Sequence, residues 1–240
     1  MNLPDRKHWS SNHKLLTGIL SKPNEHSRAV ALFLEQHAQL YDHRMSECEA
    51  LTFEDELMAD LSEESFRSYP VYTPGTRNSI AWHLWHCARI EDITMNLLAS
   101  DNVQVLHTED YAQRMGTSSY LHSGNGMTEE EITGLSLSAN IEGLREYRQA
   151  VGRRTRDIIQ SLEPEQFAAK VSPVRIGRLR EEEAVKETEQ WLIDYWGRKT
   201  IAGLILMPAT RHNFVHLNKS IRIKQKLQGK RLSAVSSSSE

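Results

Sequence analysis

Two histidines one helical turn apart, His212 and His216 in TRHNFVHLNK, are the residues whose type and spacing most directly suggest chemistry. A second pair, His83 and His86, lies far upstream in SIAWHLWHCARIED. Side chains at i and i+4 share one face of a helix, so His212 and His216 point the same way. An imidazole from another helix facing them would complete a three-histidine metal site, with protein on one side and open positions on the other. That is the layout of a catalytic metal rather than a structural one. Neutral imidazole suits Zn, Ni, Fe and Cu, and three such ligands leave the charge of the cation undiminished. Such a centre brings the pKa of bound water to around neutral and deprotonates a bound thiol. The residues between His212 and His216 are Asn213, Phe214 and Val215, so the glutamate base of an HExxH metalloprotease is missing. The same spacing also suits two core histidines bonded to backbone carbonyls.

Around the upstream pair the readings stay open. Only one of His83 and His86 need be a ligand; His83 is a candidate proton shuttle, a substrate contact or a core histidine. Trp82 and Trp85 are candidate walls of a cofactor pocket, or core residues. Arg89, one turn below His86, needs a partner, for which Glu91, Glu189 and an anionic substrate are candidates. Glu91 and Asp92 are turned away from the His86 face and read as a solvated or interhelical pair. Cys87, about 100° around the helix from His86, reads as a small buried residue rather than a nucleophile. Four of the five tryptophans, Trp82, Trp85, Trp191 and Trp196, lie close to the histidine segments.

The elements that must position these residues read as helices. A first helix is expected over 27–45, with Val30, Phe33, Leu34, His37 and Tyr41 on one stripe. A short helix follows over 52–61, and Pro70, Pro74 and Gly75 mark a loop. A second long helix is expected from about 76–78 to 99, where His83, His86, Ile90, Ile93 and Leu97 repeat at bundle-seam spacing. Residues 101–127 read as a long loop or small insertion, and Thr128 opens a capping box. A third long helix is expected over 139–162, with Ile141, Leu144, Tyr147, Val151, Ile158 and Ile159 inward. Residues 171–180 read as irregular or extended, and 181–196 as an accessory helix. Thr200 caps a last helix running to about 226, which Pro208 should kink or restart.

The chain has 240 residues, enough for one sizeable core. Its net charge of −3 speaks against a dedicated nucleic-acid binder. A basic run from Arg211 through Lys219, Arg222, Lys224, Lys226, Lys230 and Arg231 is explained more simply by cations at a helix C-terminus. The longest apolar run, 201–209, is too short for a bilayer, which needs about 20 residues. Two unspaced cysteines, Cys48 and Cys87, and a polar start suggest a reducing, cytoplasmic setting.

The residues Ser79-Ile80 followed by His86, together with HxxxH at His212 and His216, resemble the DinB-like superfamily of four-helix metalloproteins. That superfamily includes bacillithiol transferases and mycothiol-dependent maleylpyruvate isomerases. The resemblance is close over 76–97 and 200–222 and looser over the rest of 28–226. It leaves 1–27 as an N-terminal extension and 227–240 as a disordered tail. It implies an all-α, up-down-down-up four-helix bundle with inserted loops and short accessory helices. It also implies a divalent metal (Zn, Ni or Fe) on His86, His212 and His216, and a homodimer. The implied activity is a low-molecular-weight-thiol S-transferase or thiol-dependent isomerase, with a small thiol and an electrophile as partners. His83 and Arg89 are then the candidate catalytic residues, and Trp82 and Trp85 the candidate cofactor-binding ones. The competing reading is a non-catalytic metal-binding stress-response or interaction protein, whose fold would be lost on chelation.

Overall fold

Polar caps set where the helices begin. The computed structural model describes residues 4–237. Asp5 accepts from the amides of Lys7 and His8 and opens α1 (Arg6–Ile19). After α2 (His26–Ala38), a Thr52/Asp55 capping box starts α3 (Phe53–Met58), and Ser62 starts α4 (Glu63–Arg67). Ser79 accepts from the Trp82 amide and starts α5 (Ile80–Asp92), which runs on as a π-helical stretch, Ile93–Ser100. The segment after it is ordered by a 3-10 turn, Val105–His107, and α6 (Tyr111–Arg114). The Thr128/Glu131 capping box starts α7 (Glu129–Ser138), and Asn140 starts α8 (Ile141–Ser161). Then come α9 (Pro173–Glu181), α10 (Gln190–Gly197) and α11 (Ile201–Leu206), the last capped by Thr200. A second π-helical stretch, Met207–His212, joins α11 to α12 (Asn213–Ser237). The fold is all-α, and the described residues hold only isolated β-bridges.

Helix α5 is the central rod. It packs against both α8 and α12, and all its residues are buried. Buried charge demands full pairing, because an unpaired ion in an apolar interior is strongly disfavoured. Asp92 accepts from Tyr147 Oη, Arg89 Nη1, Asn96 Nδ2 and the amides of Val105 and Leu106. Glu91 accepts from Tyr41 Oη and Asn213 Nδ2 and bonds His37 Nε2 at 2.8 Å. Arg148 of α8 reaches Glu54 and the carbonyls of Leu84 and Leu40. These contacts fix α5 against α2, α8 and α12 along one end.

Several expectations are corrected. The first long helix stops at Ala38 rather than 45, and Asp42 caps a separate 3-10 turn, His43–Met45. Residues 171–180 are not irregular: Pro173 sits in the first turn of α9, where its fixed φ favours a helix. Arg175 of α9 donates to the carbonyls of Leu98 and Ala99, which end the π-helical stretch. The accessory helix expected over 181–196 is confined to α10. Residues 1–27 contribute α1, whose Trp9 is buried and stacks on Phe214 at 4.0 Å between ring centroids. The tail expected to be disordered from 227 is helical as part of α12 up to Ser237; 238–240 lie outside the described residues.

Pro208 does bend the last rod. Proline has no N–H to donate, so the turn before it opens and frees carbonyls. Within this stretch the single hydroxyl proton of Thr210 is shared between Ile205 O and Leu206 O. The widened turn ends at His212, so the rod resumes with its histidines re-aimed.

Candidate metal centre

Two rods bring the rings together. One turn into α5 stand His83 and His86; at the junction into α12 stand His212 and His216. The ring centroids of His86 lie 4.9 Å from His212 and 5.1 Å from His216, and those of His212 and His216 lie 4.3 Å apart. One ligand nitrogen from each of the three falls within 4.8 Å of the others. The convergence expected from spacing is therefore present.

The second nitrogen of each ring decides what the first can do. His86 Nδ1 lies 2.6 Å from the carbonyl oxygen of Ser123. A carbonyl only accepts, so Nδ1 carries the hydrogen and Nε2 keeps its lone pair. His216 Nδ1 meets His83 Nδ1 at 2.8 Å, and His83 Nε2 meets Thr76 Oγ1 at 2.9 Å. His212 Nδ1 is buried with no hydrogen-bond partner. Trp82 stacks on the His86 ring at 4.3 Å and 15°, fixing its plane.

The rings are held neutral. Burial pushes His86 down to about 4, against the partial support of the Ser123 carbonyl. Burial, and then the neighbouring imidazoles, push His212 and His216 well below the ordinary histidine value. Neutral rings with free lone pairs, one buried nitrogen lacking any partner, and hydrogen bonds behind two of the rings are what a divalent metal requires. The donor set fits Zn, Ni or Fe.

A cavity of about 190 Å³ opens onto His86 and His212. Its walls are Ile90, Leu192, Tyr195, Trp196 and Pro208, with Asn125 as the other polar residue. Trp191 and Met207 form an exposed rim.

The loop 122–126 supports the site from behind. Gly124 has φ +88°, and a Cβ there would lie 2.5 Å from Trp85 Cζ3 and 3.1 Å from His86 Nδ1. Only glycine lets the backbone pass this close to the ring.

Not every expected residue reaches the site. His83 touches His216 but does not line the cavity. Trp82 abuts His86, whereas Trp85 is fully buried beneath the 122–124 loop. Arg89 pairs with neither Glu91 nor Glu189. It donates to Asp92, Tyr147, Gln104 and the Leu121 carbonyl, is fully buried and does not line the cavity. Its contribution is to anchor the loop that carries Ser123. Cys87 is buried with its thiol pushed up to about 12, consistent with an inert residue. Glu91 and Asp92 are buried interhelical hubs rather than ligands. Ser123, Gly124, Asn125 and the α10 wall carried no sequence assignment; the glycine pair 124 and 126 and the nearby tryptophans were the available signals.

A second cluster, Asp42, His43 and Asp55, also meets the distance requirement for a metal. Its carboxylates are spent: Asp42 accepts from Arg44 and Arg145, and Asp55 closes the Thr52 capping box and bonds His43, so one imidazole is left to offer a lone pair.

An all-helical bundle with a three-histidine group, two of whose rings line a cavity, defines a class of candidate metalloproteins. The chain belongs to the DinB superfamily, whose family profile matches residues 30–217. No curated protein matches the chain. No helix among the described residues is long and apolar enough to cross a membrane.

Proposed function

We propose that the protein is a divalent-metal-dependent enzyme that uses a low-molecular-weight thiol, either transferring it to an electrophile or isomerising a substrate through it. The observation that carries this reading is the group of three converging imidazoles, two of which, His86 and His212, line a cavity with an exposed rim. A divalent cation on His86, His212 and His216 supplies the Lewis acidity that keeps a bound thiol ionised, where a free thiol of pKa about 8.5 is mostly protonated at neutral pH.

The chain's own residues do the rest. Ser123 O keeps the proton of His86 on Nδ1, so Nε2 stays available. With His216 Nδ1–H donating to His83 Nδ1, His83 Nε2–H donates to Thr76 Oγ1, and the same logic fixes the second ring. Both nitrogens of His83 are thereby hydrogen-bonded, so the ring holds His216 in orientation and links it to Thr76. The apolar walls exclude water around the reacting sulfur. No carboxylate lines the cavity, which favours a thiolate nucleophile over hydrolysis assisted by a general base.

The test is a thiol-consumption assay on the full chain with a panel of small thiols and a fluorogenic alkylating electrophile. It is run with zinc, nickel or iron and again after chelation, with circular dichroism recorded alongside. Metal-dependent consumption that His86→Ala abolishes, with helicity intact after chelation, is the expected result. Unchanged rates with and without metal overturn the enzymatic reading, and collapse of helicity on chelation favours a structural metal.

A further inference from the structure

We propose that the cavity beside His86 and His212 seats a small, uncharged, monocyclic aromatic group, so that the molecule meeting the metal presents a ring rather than a charged or sugar-like body. The proposal rests on the metal reading for what the ring's substituent meets, though not for the ring's seat.

Three aromatic side chains, Trp191, Tyr195 and Trp196, share the wall with Ile90, Leu192 and Pro208. Flat rings pair favourably with such walls in offset or edge-to-face arrangements. The cavity volume of about 190 Å³ is slightly above the roughly 150 Å³ of apolar cavities that accept benzene. No charged side chain lines it, so away from the metal an anionic group would lose its hydration with nothing to replace it. Charged side chains are available nearby but set apart. Arg180, Lys186, Glu183 and Glu187 line a different cavity of about 390 Å³, whose wall contains none of the three metal-site histidines. The exposed apolar rim of Trp191 and Met207 is the kind of surface that marks a ligand entrance.

Two arms test this on the full chain. In the first, metal-free protein is titrated with benzene and with succinate while tryptophan fluorescence and ligand NMR are followed. Saturable benzene binding without succinate binding is expected, and Trp191→Ala, a change at an exposed rim position, should weaken it about tenfold. No saturable benzene binding, or equal binding by Trp191→Ala, overturns the proposal. In the second arm, cobalt-loaded protein is titrated with thiophenol and with mercaptosuccinate, reading the sulfur-to-cobalt charge-transfer band. Thiophenol should bind about tenfold tighter or better; equal or tighter mercaptosuccinate overturns the aromatic assignment. Failure to take up cobalt at all, with benzene still bound, defeats the metal reading and leaves the ring's seat standing.

Discussion

Two groups of side chains in this molecule are close enough to hold a metal, and they differ in what their lone pairs already do. Asp42, His43 and Asp55 are as near to one another as a ligand set requires, yet Arg44, Arg145, Thr52 and His43 have taken up the acceptor capacity of both carboxylates, which leaves one imidazole. His86, His212 and His216 have hydrogen bonds only at their backs, or none at all, and the first two have a cavity in front. Proximity nominates both; unspent lone pairs select one. The same contrast runs along α5 itself. His86 stands at an opening, whereas Glu91 and Asp92, a turn or two further on, are buried with their acceptors taken up by neighbouring helices.

Breaking the comparison at the ligands has the largest expected effect. His86→Ala, His212→Ala and His216→Ala should each lose stoichiometric metal, while His43→Ala keeps it; elemental analysis of the purified variants decides. Next comes Gly124→Ala, which strains a left-handed residue and drives a methyl toward Trp85 and His86. Metal affinity should fall about 10–100-fold, as when other supporting contacts of metal-bound histidines are removed. His83→Ala should retain one metal at saturation and weaken affinity about tenfold by freeing His216 Nδ1. Competition with a chelator of known affinity measures both, and unchanged affinity in both variants would show that the contacts behind the rings are irrelevant.

Asp42→Ala sharpens the contrast from the other side. It removes charge-assisted hydrogen bonds, so urea unfolding should show a loss of about 1–3 kcal/mol with metal content unchanged. A loss of metal without loss of stability would reverse the assignment of the two clusters.

The clusters should also separate by pH. His86 is pushed to about 4 in the folded metal-free protein, while its unfolded value is about 6.5. Between those values the unfolded chain binds more protons, so stability falls as pH drops from about 6.5 toward 4 and is flat above. Burial raises Asp42, but hydrogen bonds from Arg44 and Arg145 outweigh it and hold the carboxyl well below the usual range. Its contribution is complete above the ordinary carboxylate pKa of about 3.9 and is lost only as pH falls below that. Thermal melts of metal-free protein across pH 3–8 should show the first decline, and His86→Ala should blunt it.

Much of this was legible in the chain. HxxxH spacing, the stripe through His83, His86 and Ile90, and the caps at Thr128 and Thr200 depend on local geometry that a sequence displays directly. The contribution of Ser123 was not legible, because it acts through a backbone carbonyl that every residue possesses. Gly124 stood in a loop whose path depends on Arg89, buried 35 positions earlier and tied to the Leu121 carbonyl. The α9 helix was missed because its Arg175 finds acceptors on the end of a different rod, at Leu98 and Ala99. Trp9 gave no hint of its seat on Phe214, a contact between opposite ends of the chain.

The central claim is most directly tested by X-ray absorption on the full chain loaded with zinc and freed of excess metal. One zinc per chain surrounded by three imidazole nitrogens is the predicted result. No bound zinc, or a zinc whose ligands include a cysteine sulfur or carboxylates in place of those rings, would contradict it.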